Sequence, residues 1–513
     1  MPRQRSTARG RPGTILAMQS QSVRVGAERR ASLVSRLSST PDVVVSAGTA
    51  GRDPVDLWPI RLKRGAEGAP DAVLVRPTST AGAAAVMAAA AEVGARVALR
   101  GRGSNVVGAI DGLADLVVST DALDTVLAFD AESQLITVGA GLLGSELEAF
   151  LSERGLTCGI YPQSLAISSV GGWVNTRATG TCSARYGGVE HAIRGLVAVT
   201  PTGEVLRFGS RVRAPGGLDG IAAFVGTEGS LAVTTEVTLA ARRLQDERRI
   251  CGGFDSFQAG LATQRELVQR HLPIDLLRLY NEAETAAILG DGAPAKVLLI
   301  ATTSGVPELL DPQRTAIASV ITETGGRVLD DGAGDGWFAR RYHAHGLMEQ
   351  ANASPGAIFD TIEVSAPWSS VGGLARELEE QLGQLSTPFF LHASHVYENG
   401  SSLYAMIYLQ GRDDAEAERA WAACWARAEA IVARHDGAFG HHHGIGAIRA
   451  RSYARSDDAR LHWALKRHLD PAGTLLAPLL DHSAPDPLVP SLGSPGSGPD
   501  TPEVVEPSGG AMA

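Results

Sequence analysis

The stretch from Tyr161 to Gly188 limits the fold of this chain more than any other feature. It is rich in glycine, serine and threonine, and it is unusually long for a connection within a compact domain. Glycines let the backbone approach a bound molecule closely, and the hydroxyl side chains between them supply neutral hydrogen-bond donors. Long irregular loops of this kind are usually functional. We therefore predict a loop that surrounds a large polar ligand.

Strands and helices are predicted on both sides of this stretch. Arg96–Leu99 is a predicted strand that runs into Gly101, and Gly141–Arg154 is a predicted helix with one apolar face. Beyond about Arg243, helices and strands alternate again, and they include the long amphipathic helix Asp413–His435. A chain of 513 residues is too long for one simple core, so several domains are expected. The fold class that we predict is α+β.

Changes in composition along the chain set the predicted domain limits. The predicted parts are a disordered Arg-rich arm (1–41), a ligand-binding domain (42–245), an α+β substrate or cap domain (246–435), a C-terminal helical segment with a His loop that returns to the ligand (436–482) and a disordered tail (483–513).

Composition excludes several classes of protein. The net charge is −10, and no basic stripe with interleaved aromatic residues is present, so no nucleic acid is expected as a partner. The four cysteines lack the spacing of a zinc site or a disulfide framework. No apolar run reaches the length of a membrane-spanning helix, and no secretory signal is evident. We expect a soluble cytoplasmic protein.

Two further glycine-rich segments resemble parts of a phosphate site. A strand leads into GRGSN at residues 101–105, where consecutive backbone N–H groups could converge on an anion, with added donors from Ser104 and Asn105. This signal is weak alone, since a glycine-rich strand exit is common and the GxGxxG spacing is missing. The second segment, Gly226–Thr234, has the pattern of a turn that edges the same site.

Three consecutive histidines, His441, His442 and His443, lie among glycines near the C-terminus. Imidazoles titrate near neutral pH, and the glycines allow a sharp turn against a ligand. In a strand-like loop, His441 and His443 would share one face and His442 would take the other. The loop could be a polar surface loop, a metal site or a catalytic loop. No cysteine or carboxylate lies close by in the sequence to complete a metal shell, and we predict no metal.

The order and the amino-acid sequences of the glycine-rich blocks resemble those of the FAD-binding domain of the vanillyl-alcohol-oxidase superfamily. The resemblance spans roughly residues 70–245 and implies a two-subdomain, PCMH-type FAD-binding domain at residues 42–245. Gly101-Arg102-Gly103 stands where members with covalent flavin often carry a histidine, so non-covalent FAD is expected. The FAD contacts that the resemblance implies are Leu99, Arg100, Gly101, Arg102, Gly103, Ser104, Asn105, Gln163, Ser164, Ser168, Ser169, Asn175, Thr176, Arg177, Ala178, Glu228, Gly229, Ser230, Leu231, Ala232, Val233 and Thr234.

Within that superfamily, the C-terminal half resembles the alkyl-dihydroxyacetonephosphate synthase family. A three-histidine loop is preceded by Tyr404, Ser365–Trp368 matches the family's SAPW-like segment, and Val170–Ala178 matches its VGGW block. The resemblance implies that the acyl group of an acylated phosphoketone is exchanged for an alkoxy group in ether-lipid synthesis. It also implies catalytic roles for Tyr404, His441, His442 and His443, and phosphate binding by Arg341 with Arg278 as its partner. The alternative for both arginines is a position on the solvated surface.

The resemblance implies three partners: a small, lipid-like substrate, a membrane surface in peripheral contact, and a second copy of the chain in a homodimer.

The alternative function is an FAD-dependent oxidase or dehydrogenase of a 2-hydroxy acid or alcohol. That branch carries an HxGxGNxH-like metal motif and an EHGxG segment. Here Tyr404 stands at the second histidine of the motif and His442 stands at the glutamate, so the metal shell of that branch is expected to be broken.

Overall fold

In the part of the chain that the structure describes, three large β-sheets, a two-strand ribbon and surrounding helices make up the fold, which confirms the predicted α+β class. The computed structural model describes residues 26–46, 56–64, 72–110, 114–209, 212, 216–290, 293–342 and 344–481. The first two sheets use strands up to Ala240, and the third begins at Asp246. None of the helices in these ranges combines the length and the apolar character needed to cross a bilayer.

The first sheet joins one antiparallel strand to three parallel ones, in the order β1-β2-β4-β3. Its strands and the helices near it are α1 (26–37), β1 (Val43–Ser46), α2 (Pro59–Arg64), β2 (Val73–Pro77), α3 (Thr80–Glu92), β3 (Val97–Arg100) and β4 (Leu116–Ser119). The side chain of Ser79 caps α3 by accepting a hydrogen bond from the Gly82 N–H.

The helix α1 corrects the prediction of a disordered arm over residues 1–41. Leu33 and Leu37 are fully buried against the first sheet, which explains why the segment is ordered despite its arginines. Residues 1–25 and the predicted tail from 483 lie outside the described residues.

The second sheet is antiparallel, in the order β5-β6-β10-β8-β9, and a two-strand ribbon pairs β11 with β7. Its elements are β5 (Val126–Asp130), β6 (Leu135–Gly139), α4 (Gly144–Ser152), β7 (Leu156–Thr157), α5 (Val170–Thr176), α6 (Ser183–Tyr186), β8 (Ile193–Val199), β9 (Val205–Gly209), β10 (Val233–Ala240) and β11 (Arg242–Arg243). The stretch 161–188 is therefore not wholly irregular. Ser169 caps α5, and Trp173 fills the core beneath it.

The third sheet has seven antiparallel strands, in the order β15-β12-β14-β13-β17-β18-β16. Its elements are β12 (Asp246–Phe254), α7 (Phe257–Gln269), β13 (Leu276–Tyr280), α8 (Glu282–Leu289), β14 (Val297–Gly305), α9 (Pro307–Glu323), β15 (Arg327–Val328), α10 (Asp335–Arg340), α11 (Ala344–Ala353), β16 (Ala357–Pro367), α12 (Trp368–Leu382), β17 (Phe389–Tyr397), β18 (Gly400–Gln410) and α13 (Asp414–Arg434).

Alternation along these strands separates apolar from polar side chains in the middle of the sheet. Leu279, Leu391 and Leu403 belong to the apolar core shared with helices α7, α12 and α13. Arg278 and Tyr404 are set on the opposite face by the same alternation, and both line a cavity. After α13 the chain turns through the His loop into α14 (Ala450–Tyr453) and α15 (Asp457–Leu469).

Candidate active site

A deep cavity lies between the first two sheets and the polar face of the third. It holds about 1450 Å³ of empty space, open solvent at its mouth included. The 99–105 segment, the start of the 161–188 stretch and the His loop all reach its wall. The first two segments precede the His loop by more than 250 residues in the sequence, and the fold brings all three together.

Most of the predicted FAD contacts lie on the cavity wall. Those on the wall are Leu99, Arg100, Gly101, Arg102, Gly103, Ser104, Asn105, Gln163, Ser164, Ser168, Ser169, Asn175, Thr176, Ala178, Glu228, Val233 and Thr234. The predicted contacts that do not line it are Arg177, Gly229, Ser230, Leu231 and Ala232.

Two of the residues off the wall have other partners. Arg177 ends α5 in the left-handed region, and its guanidinium donates to the carbonyl of Val225. The hydroxyl of Ser230 lies 2.7 Å from Nε2 of His462 on α15. These two side chains therefore stabilise the segments that form the cavity wall without lining the cavity themselves.

The 99–105 segment meets α5 closely enough to require a glycine. A Cβ atom at Gly101 would lie 2.7 Å from Oγ of Ser169. The amide of Asn105 donates to the His443 carbonyl and accepts from the Val107 N–H, so the same segment also fixes the His loop.

Tyr404 and the histidines form a connected hydrogen-bond network. The Tyr404 hydroxyl lies 2.9 Å from Nδ1 of His442, which lies 3.0 Å from Nδ1 of His441. Nε2 of His441 lies 2.8 Å from the hydroxyl of Tyr397. His443 lies against Tyr404, with 6.0 Å between ring centroids. Tyr404, His442, His441 and Tyr397 therefore form one continuous chain of hydrogen-bonding groups, each able to donate or accept according to its protonation.

The predicted alternation of the histidines is wrong, because the loop is not a strand. Oε1 of Glu363 accepts hydrogen bonds from the consecutive N–H groups of His441, His442 and His443, at 2.8, 2.8 and 2.6 Å. Three successive amides that converge on one oxygen curl the backbone, so the rings of His441 and His442 both reach Tyr404.

Glu363 comes from β16, where it pairs with Tyr404 across the sheet, and it is fully buried. Its Oε2 lies 3.4 Å from Nδ1 of His442 and 3.5 Å from Nδ1 of His443. Ligand atoms of Glu363, His441 and His442 lie within 4.8 Å of one another. A carboxylate that is distant in the sequence therefore does lie next to the His loop. Its Oε1 already accepts three backbone hydrogen bonds, and its Oε2 lies near the histidine rings.

Burial sets the protonation of this network. It lowers the pKa of His441 and of His442 to about 4, so both are neutral at physiological pH. Burial, with the charge of Glu363, raises the pKa of Tyr404 well above its usual value. Burial alone would raise the pKa of Glu363, but the loop histidines and Arg449 outweigh it and hold that pKa well below its usual range. The network thus holds an ionised carboxylate beside neutral imidazoles and a neutral phenol.

The loop is also tied to the second sheet. Oε1 of Glu228 accepts a hydrogen bond from the Ile445 N–H, and both of its carboxylate oxygens lie within 3.1 Å of the Gly446 N–H. Burial raises the pKa of Glu228 to about 7. Gly446 has a φ of +51°, and a Cβ there would lie 2.1 Å from the Val107 carbonyl oxygen, so only glycine fits this close approach.

The two predicted phosphate-binding arginines occupy different places. Arg278 lines the cavity, is 4% exposed, and forms no ion pair with a described carboxylate. Arg341 does not line the cavity; its guanidinium lies over Phe338 and Tyr342, and that of Arg278 lies over Tyr280 and Trp337. A buried arginine that faces a cavity and is not paired with a carboxylate is suited to bind an anionic ligand.

Two family models match consecutive parts of the chain. Residues 70–209 match the FAD binding domain, and residues 243–478 match the FAD linked oxidases, C-terminal domain. The chain therefore carries an FAD-binding domain followed by a C-terminal domain of the FAD-linked oxidase type. Its cofactor is FAD, and the chain is a flavoprotein.

The relatives of this flavoprotein differ in what their names state. It is 26% identical over 434 residues to alkyldihydroxyacetonephosphate synthase from Trypanosoma brucei brucei, which covers 77% of this chain and 70% of that protein. It is 30% identical over 271 residues to an uncharacterised FAD-linked oxidoreductase from Mycobacterium tuberculosis, covering 50% and 58% of the two chains. A solved structure of alkyldihydroxyacetonephosphate synthase superposes with a TM-score of 0.70 at 20% identity and covers 86% of this chain and 84% of that one.

The residues of the cavity fit FAD. Glu228 is the only carboxylate among the described wall residues, whereas Arg100, Arg102 and Arg278 are cationic and the 161–188 stretch supplies hydroxyls and amides. Such a wall suits an anionic pyrophosphate and a polar ring. The flavoprotein would hold FAD against the first two sheets, with Tyr404 and the His loop on the opposite side.

We expect FAD to be released by acid precipitation. The described wall residues that come from the first two sheets include no histidine or cysteine, so the side chains that commonly attach flavin covalently are missing there. The measurement is the absorbance of the supernatant after the pure yellow protein is precipitated. Colour that stays with the pellet would contradict non-covalent binding.

The sequence alone did not reveal Glu363, Tyr397, His392 and His395 as parts of the site. His395 takes a φ of +54° at a bulge in β17, and its Nδ1 lies 2.8 Å from the Ser183 hydroxyl. The available signal was polar residues at alternate positions in otherwise apolar strands, with Glu363 the clearest case.

Proposed function

We propose that this flavoprotein is an alkyl-dihydroxyacetonephosphate synthase-like enzyme, which exchanges the acyl group of an acylated phosphoketone for an alkoxy group. The observation that carries the proposal is the buried Tyr404–His442 contact in the same cavity as Arg278. In the overall exchange a fatty alcohol adds as its alkoxy group, and a fatty acid leaves with the alcohol's proton. The reaction has no net oxidation.

The protein's own groups fit the two tasks that this exchange needs. A proton must leave and return at the carbon that carries the ester, and Tyr404 with neutral His442 provides an acceptor and a donor within hydrogen-bond reach. Glu363 stabilises the imidazolium that forms when His442 accepts a proton. Arg278 binds the phosphate. Bound FAD supplies the redox-capable ring that this chemistry uses.

A second candidate is an FAD-dependent oxidase or dehydrogenase of a 2-hydroxy acid or alcohol. The grouping of Glu363, His441 and His442 favours it, because three ligand atoms within 4.8 Å could hold a metal ion. Against it, Oε1 of Glu363 already accepts three backbone hydrogen bonds, so this carboxylate has only Oε2 left to bind a metal. Metal found by elemental analysis, with activity lost on chelation, would favour this candidate.

Several expectations from the sequence stay predictions. They are the domain limits at residues 245 and 435, the FAD contacts on the cavity wall, the catalytic role of His443, the homodimer, the cytoplasmic location and the peripheral contact with a membrane. The lipid-like substrate belongs to the proposed function and is tested with it.

Arg278→Ala should raise the KM for a phosphorylated substrate about ten- to a hundredfold, since losing a charge-assisted pair costs on the order of 1.5–3 kcal/mol. Flavin content should stay at the wild-type level. Arg341→Ala serves as the matched control because Arg341 does not line the cavity, and its KM should stay close to wild type.

This expectation reverses the order of the two arginines that the sequence suggested. A large effect of Arg341→Ala with none from Arg278→Ala would restore the original order. Unchanged KM values in both variants would favour a substrate without phosphate.

A further inference from the structure

A buried pair of one histidine and one glutamate, His392 and Glu284, lies beside Arg278. It takes no part in the hydrogen-bond network of Tyr404 and His442. Nδ1 of His392 lies 3.1 Å from both carboxylate oxygens of Glu284. The two side chains are only 6% and 10% exposed. A carboxylate accepts hydrogen bonds, so Nδ1 of His392 carries the hydrogen, and Nε2 is left for another partner.

The sheet places His392 next to Arg278. His392 pairs with Tyr280 across β17 and β13, and Arg278 lies two residues from Tyr280 on the same face. Both Arg278 and His392 line the cavity. The ring of His392 stacks on Tyr404 at 5.0 Å and 9°. This pair therefore lies between the arginine and the catalytic phenol.

The groups that face His392 have opposite effects on its charge. They are Glu284 from α8, Arg278 and Tyr280 from β13, and Tyr404 from β18. Burial, helped by the charge of Arg278, lowers the pKa of His392, while Glu284 opposes the shift. His392 is therefore neutral in the free protein near neutral pH, and its Nε2 presents a lone pair.

A lone pair at Nε2 would repel an anion, and a protonated Nε2 would bind one. An incoming dianion also offsets the charge of Arg278, which removes one cause that keeps His392 neutral. Protonation of His392 and binding of an anion therefore favour each other. Glu284 stabilises the imidazolium that results.

We infer that Arg278 and His392 form one site for the phosphate of the substrate, and that His392 takes up a proton from solvent when the dianion binds. The proton goes to Nε2, and no covalent bond is made or broken. This inference rests on the proposed function, because it names the second group that recognises its phosphorylated substrate.

The test is calorimetric titration of the FAD-loaded enzyme near neutral pH, in two buffers of different ionisation enthalpy. The probes are dihydroxyacetone phosphate and inorganic sulfate, a tetrahedral dianion that does not itself titrate in this range. We expect uptake of about one proton per dianion bound to the wild-type enzyme. His392→Asn should remove the proton uptake and weaken binding about ten- to a hundredfold.

Two further variants keep the inference testable. Glu284→Gln retains His392 but should reduce both the uptake and the affinity, which covers the case in which His392→Asn fails to fold. His435→Asn is the matched control, since His435 bonds Glu377 in the same way but lies outside the cavity wall. It should change neither quantity.

The outcomes separate the inference from the proposed function. Dianion binding that depends on Arg278, with no proton uptake and no effect of His392→Asn, would overturn the inference alone. Failure of the wild-type enzyme to bind either probe would overturn the inference and would also count against a phosphorylated substrate.

Discussion

Tyr404→Phe is expected to lower turnover by roughly 10²–10⁴-fold, the range typical of lost general acid–base catalysis. The substitution removes only the hydroxyl that contacts Nδ1 of His442. Folding and FAD content should stay at the wild-type level, because the ring still stacks on His392. The measurement is kcat with saturating substrates, on protein with matched flavin content.

His442→Ala should cause a loss of similar size, and the double variant should be little worse than either single variant. Groups that act as one unit give non-additive effects, so a multiplied loss would mean that Tyr404 and His442 act separately. Tyr408→Phe is the matched control on the same strand, since the Tyr408 hydroxyl accepts a hydrogen bond from Gln410 and Tyr408 does not line the cavity. Near-wild-type turnover in Tyr404→Phe would contradict the alkyl-transferase proposal.

Glu363→Gln should lower kcat about ten- to a hundredfold with little change in KM, because a charge-assisted contact is worth on the order of 1.5–3 kcal/mol. Glutamine keeps an oxygen that can accept from the three loop N–H groups, but it has no charge to stabilise an imidazolium at His442. Glu377→Gln is the control, since Glu377 bonds His435 away from the cavity wall.

The pH profile distinguishes this electrostatic role from a purely structural one. The charge of Glu363 raises the pKa of His442, opposing burial. Without that charge, His442 should lose its proton at lower pH. The acidic limb of the kcat profile, which in wild type should follow the pKa of about 4, should therefore move to lower pH in Glu363→Gln. An unshifted limb with reduced kcat would show that Glu363 acts only by shaping the loop.

The sequence predicted much of the fold through periodicity. The helix predicted over Gly141–Arg154 is found at Gly144–Ser152, and the predicted helix Asp413–His435 spans Asp414–Arg434. These segments carry strong apolar faces, which tertiary packing preserves. The helix α1 was missed because its only apolar anchors are a few residues, such as Leu33 and Leu37, among many arginines.

Several residues of the candidate site were predicted from the sequence, but the contacts between them were not. Tyr404 and the histidines came from a resemblance, and the structure brings them together at 2.9 Å. Glu363 and His392 escaped notice because their role depends on the register of neighbouring strands, which places both beside Tyr404. Register follows from tertiary pairing, and local patterns do not encode it.

The most direct test supplies the pure FAD-loaded protein with an acylated dihydroxyacetone phosphate and a labelled fatty alcohol, without an electron acceptor. The account predicts that the label enters an ether product while one fatty acid is released for each ether formed, and that the flavin spectrum shows no net reduction at the end of the reaction. Stable bleaching of the flavin by a 2-hydroxy acid, with no exchange of acyl for alkoxy label, would contradict it.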